Sequence, residues 1–174
     1  MHGGVALGAL IATSFGLVWA IAGVQSVIPR WRLAIVGVSV LTTILICATL
    51  ISRVRSGPPP TSPAGTFNGP IYGLAVGFET IAIVAAIIGL RRTDRKQYIL
   101  PAVALIVGLH FFGLARAMNA VGFVWVAGAM SILATAIIFG LARSLVSSAQ
   151  AAVLTGFGCA AILWISAAWT LVKA

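Results

Sequence analysis

IYGLAVGFETIAIVAAIIGLRRTDRKQY, residues 71–98, decides the fold. From Ile71 to Leu90 it is apolar except for Glu79 and Thr80, over the roughly 20 residues that a helix needs to cross a bilayer. It then breaks into a turn holding Arg91, Arg92, Arg95 and Lys96 around Asp94, and a second apolar run follows at once. Two long apolar segments joined by a basic turn form a membrane hairpin, because basic residues mark where a span leaves the hydrocarbon.

The rest of the chain repeats this pattern. It has 174 residues, 61% hydrophobic and 7% charged, where an ordinary soluble domain is about 25% charged. Mean hydropathy is +1.14. Six segments have spanning length, near 5–28, 33–52, 70–90, 98–118, 121–142 and 150–172. They leave too little sequence for a water-soluble core, so the expected fold is all-α, an integral membrane bundle of six transmembrane helices in one domain, 1–174. The N-terminal MHGGVALGAL lacks a basic leader, and the first span is expected to be retained.

The net charge of +9 does not indicate nucleic acid, because the bases are scattered at the ends of apolar runs. The expected partner is the lipid bilayer. The turns PRWR, RRTDRKQY and RSLVSSAQ hold seven bases, while Arg53, Arg55, Arg116 and Lys173 make four on the other side. The positive-inside rule then puts both termini outside the cell membrane. Segment 53–69, rich in Pro, Gly and Ser, reads as a flexible loop. The other turns are short, so helices 1–2, 3–4, 4–5 and 5–6 are expected to be antiparallel neighbours.

Small residues let helix backbones approach in lipid. Gly4, Gly8, Ala12, Gly16 and Ala20 make a stripe on the first helix, and Gly73 and Gly77 have GxxxG spacing on the third. Ala127, Ser131 and Thr135, and Ala152, Gly156 and Ala160, do the same on the fifth and sixth. All are expected to be packing seams. A homo-oligomer is a permitted arrangement. Cys47 and Cys159 lie in separate apolar segments and read as small buried hydrophobes.

Glu79 is one of only two acids in the chain and lies near the middle of its span. Its helical neighbours Tyr72, Ala75, Val76, Ala82, Ile83 and Ala86 are mostly small, so it is expected in a helix seam. His110 lies deep in the next span, with Gly113 and Ala117 on its face. Each lies about 2 Å from the middle of its helix, and the antiparallel course brings both to one level. A Glu79–His110 pair is therefore expected at the core of the bundle.

Charge at that depth costs a few kcal/mol or more unless it is partnered. A carboxyl and an imidazole in contact reduce the cost and can exchange a proton. Two readings compete. The pair is a proton- or ligand-binding site of a small transporter, channel or other ligand-binding membrane protein, or it is a clamp between helices 3 and 4 of a structural or accessory subunit. Tyr72, Arg116 and Asn119 are secondary pocket candidates, although Arg116 near a span end also suits a headgroup anchor. Trp19, Trp125 and Trp164 are expected in the core, and Trp31 and Trp169 in an aromatic belt.

Common catalytic motifs are missing (HExxH, GxSxG, GxxxxGK[ST] and the Rossmann glycines), which disfavours an enzyme. No lysine lies inside a span to hold retinal. A bis-histidine haem needs a second deep histidine, and His2 is terminal. No cofactor and no metal site is expected. The stretch GLHFFGLAR, residues 108–116, resembles a motif of small bacterial multi-span membrane proteins of uncharacterised function, in which G-L-H-F lies in a middle helix. The resemblance implies a multi-span helical protein and transfers no residue role.

Overall fold

Six α-helices account for almost all of the computed structural model, which describes residues 3–56, 68–117 and 121–173. They are α1 (Gly3–Val24), α2 (Pro29–Ser56), α3 (Gly69–Arg92), α4 (Ile99–Ala117), α5 (Gly122–Ala142) and α6 (Ser148–Lys173), with a single 3-10 turn, Lys96–Tyr98, before α4. Five helices are long and apolar enough to cross a membrane; the apolar run of α1, Gly8–Val24, is shorter. The chain is all-α and polytopic in character.

Local chemistry sets the helix ends. Pro29 opens α2, where its missing N–H is no loss, so the PRWR stretch expected as a turn forms the first helical turn. Arg32 folds back from it: its Nε and Nη2 donate to Val27 and Gln25 carbonyls, each at 2.9 Å. Asn68 caps α3 by accepting from the Ile71 N–H. Ser147 and Gln150 form a reciprocal capping box, each side chain bonding the other's backbone N–H, and this starts α6 at Ser148. α3 and α5 end alike. Asp94 and Ser144 take positive φ, and the N–H groups of Arg95 and Leu145 return to the carbonyls of Leu90 and Gly140, both at 2.8 Å.

Of the expected loop 53–69, residues 57–67 lie outside the described residues, while residues 53–56 continue α2 as helix. Asn119 also lies outside them.

Packing departs from simple chain order. α6 touches α1, α2, α4 and α5 and forms the centre, with α1 as its closest partner. α2 lies at one edge on α1 and α6. α3 lies at the other, against α4 and the short turn before it. The α1–α6 seam uses the small-residue stripe. Gly8, Ala12, Gly16 and Ala20 are buried, the Trp164 indole occupies the space above Gly16, and its Nε1 donates to the Thr13 carbonyl at 3.2 Å. At Gly23 and Gly156 the two backbones approach so closely that a Cβ on Gly156 would strike Gly23. Buried hydroxyls there are satisfied within their own helices: Thr13 donates to Ala9 and Thr155 to Ala151, both at 2.7 Å.

The α3 expectation fails. A Cβ on Gly73 or Gly77 would meet nothing within 4 Å, so this GxxxG faces outward. The reason is periodicity: Glu79 and its alanines turn toward α4, and at 100° per residue the glycines fall on the other side. Trp19 is buried as expected, and Trp164 partly so, but Trp125 is 79% exposed and Phe78 72% exposed. In a bilayer such residues meet lipid, which accepts them as readily as a core would.

Candidate functional site

The α3–α4 seam is built from small residues and two ionisable ones. Asn68, at the start of α3, donates its backbone N–H to the Ala117 carbonyl at the end of α4, 3.0 Å away. This tie fixes the antiparallel register. One turn in along α4 and two along α3, Gly113 faces Ala75, and a Cβ there would stand 3.1 Å from the alanine's own. That close approach brings the next pair together. Glu79 Oε2 stands 3.5 Å from His110 Nδ1.

The pair lies at the edge of the bundle and not at its core. Side-chain exposure is 8% for His110 and 20% for Glu79, and no residue of α3 is fully buried. Sequence depth placed both groups at one level; it carried no information on which helix is peripheral. His110 Nδ1 is buried and has no hydrogen-bond partner among the described residues, so the carboxylate beside it is within ion-pair range but not in hydrogen-bonding geometry. The imidazole also meets Phe111 edge-on, 6.2 Å between ring centres, and Phe111 stacks on Phe123 of α5.

Other ionisable groups stand off. Tyr72 shares the Glu79 face two helical turns away, about 10 Å along the axis. Arg116 is exposed in the last turn of α4, about 120° around that helix from His110. The short turn before α4 contributes Arg95, Lys96 and Tyr98, at the far end of the seam. Among the described residues no three of His, Cys, Asp and Glu come together. Cys159 is buried in the core, Cys47 is half-buried on α2, and both are free thiols.

Two buried hydroxyls lack hydrogen-bond partners among the described residues: that of Thr43 on α2, which sequence reasoning did not single out, and that of Ser131 on α5, which it placed in a packing seam only. Ser131 packs against Gly108 of α4, in keeping with the seam expected from its spacing with Ala127 and Thr135.

Comparison of the chain with known protein families, with curated proteins and with solved structures gives no match. The likeness of GLHFFGLAR to other multi-span proteins therefore adds no residue role, and the reading of the site rests on its own chemistry.

Proposed function

We propose that this chain is a small proton-linked transporter or channel of the cell membrane, with Glu79 and His110 as its proton- or ligand-binding groups and α3 as its moving element. The observation that carries this is the position of the pair: the only acid and the only histidine within the described spans meet across the seam by which α3 packs onto the bundle. Every other helix has buried side chains or a backbone-to-backbone contact holding it. The attraction across 3.5 Å changes whenever a proton arrives at or leaves the pair, and α3 is the helix without a fully buried residue among those described. All six helices cross the bilayer in this reading. α1 reaches about 33 Å over its 22 residues, the basic turns lie inside, and both termini lie outside.

A clamp in an accessory subunit is favoured by one feature, that the Asn68 backbone bond and the Glu79–His110 contact both run from α3 to α4. The two readings separate in proteoliposomes. Glu79→Gln and His110→Ala are expected to abolish pH-driven proton uptake or efflux, measured with an entrapped pH dye, while both variants keep the helical signal and monodisperse elution of the parent. Wild-type flux in both folded variants would eliminate the transport reading.

A further inference from the structure

The turns after α1, α3 and α5 lie at one end of the bundle. Their helices run antiparallel, and the short turn before α4 touches α6. Seven bases collect there with a single acid, Asp94, because the only other acid in the chain is Glu79 in mid-span. Two of the seven are already engaged. Arg32 is spent on the carbonyls of Val27 and Gln25, and Lys96 pairs with Asp94 at 3.5 Å. Arg30, Arg91, Arg92, Arg95 and Arg143 remain, all exposed and none in an ion pair among the described residues.

These five guanidinium groups lie at the level where helices end, and Asp94, already paired with Lys96, is the one acidic side chain of these turns. Aromatic rings sit beneath two of them. Arg30 lies over Trp31 at 6.0 Å and Arg143 over Phe139 at 4.9 Å, and both rings are more than half exposed. A ring facing lipid with a guanidinium above it spans the boundary between acyl chain and headgroup. The planar guanidinium fork matches two phosphate oxygens at once. We propose that this end of the bundle is a binding surface for anionic phospholipid, held through the headgroup phosphate and net negative charge, with Arg91, Arg92 and Arg95 as its densest part.

The opposite end supplies an internal control, since Arg53 and Arg55 of α2 and Arg116 of α4 are also exposed but lie on separate helices. The test uses the full chain in nanodiscs of mixed phosphatidylglycerol and phosphatidylcholine, with retained lipid identified by native mass spectrometry. Phosphatidylglycerol is expected to be enriched severalfold over its bulk share. The triple variant Arg91→Gln, Arg92→Gln, Arg95→Gln should reduce that enrichment about tenfold or more, given the attraction of each base to an anionic surface. The double variant Arg53→Gln, Arg55→Gln should leave it within about twofold, since its two bases lie outside the cluster. Equal retention of the two lipids by the parent, or equal loss from both variants, would overturn the proposal. So would release of the enriched lipid by inorganic phosphate but not by chloride of the same ionic strength, because the site would then recognise free phosphate.

Discussion

Alanine at Gly156 is expected to destabilise the bundle by about 2–3 kcal/mol, the upper part of the range for overpacking a close-packed site, and valine is expected to prevent folding. The added methyl carbon would meet Gly23 backbone atoms and the Trp19 carbonyl oxygen at 2.7 Å. Backbone cannot rotate away as a side chain can, so α1 and α6 must separate. That separation would also disturb the Trp164 indole above Gly16 and its bond to Thr13. Gly73→Ala and Gly77→Ala add the same methyl where nothing lies within 4 Å. They are expected to be neutral or stabilising by up to about 1 kcal/mol, because alanine is the better helix former. Unfolding in mixed micelles monitored by circular dichroism separates these outcomes. A Gly156→Ala variant as stable as the parent would mean that the two helices do not approach at this point.

The second large effect concerns the pair itself. Glu79→Leu alone leaves a buried imidazole beside a hydrocarbon, and His110→Leu alone leaves a carboxyl group in the same position. Losing one partner of a fully buried pair costs about 3–5 kcal/mol. Here Glu79 is 20% exposed and the 3.5 Å contact lacks hydrogen-bonding geometry. Polar contacts between membrane helices average well under 1 kcal/mol, so the expected loss is about 1–2 kcal/mol for each single variant. The double variant Glu79→Leu, His110→Leu should recover most of it, since no polar group is then stranded. Recovery of stability without recovery of proton flux is the signature of a working site. A double variant that regains both would identify a clamp. If it regains no stability, the seam is held by something other than the pair.

How much of this was legible in the sequence depends on the kind of information each feature carries. The helices were visible because apolar length and basic turns are local properties, and the SSAQ start of α6 shows how a cap sharpens a boundary that hydropathy blurs. The meeting of Glu79 and His110 was legible because depth in a bilayer can be counted along the chain and short turns enforce antiparallel neighbours. Bundle order was not legible. The closest packing, α1 on α6, joins helices far apart in sequence, and no turn length announces it. For the same reason the pair was expected at the core although α3 lies at an edge. The GxxxG of α3 looked like the stripe on α1, yet only the latter meets a helix. In lipid, a small residue facing outward costs little, so spacing alone does not say which face has a partner. Trp125 repeats the lesson with a large residue.

The central claim is that one proton moves at the α3–α4 seam, and infrared difference spectroscopy tests it most directly. In reconstituted protein, a carboxylic acid carbonyl band should appear and vanish as pH is stepped across the range in which the bundle stays folded. It should be lost in Glu79→Gln and displaced in its pH midpoint in His110→Ala. With only Asp94, exposed in a turn, as the other side-chain carboxyl group, the assignment has one side-chain competitor, removed by Asp94→Asn, and the terminal α-carboxyl is told apart because its band persists in Glu79→Gln. A titrating band that meets these conditions is the result expected here. A spectrum with no titrating band from Glu79, or one whose midpoint ignores the loss of His110, would contradict the account.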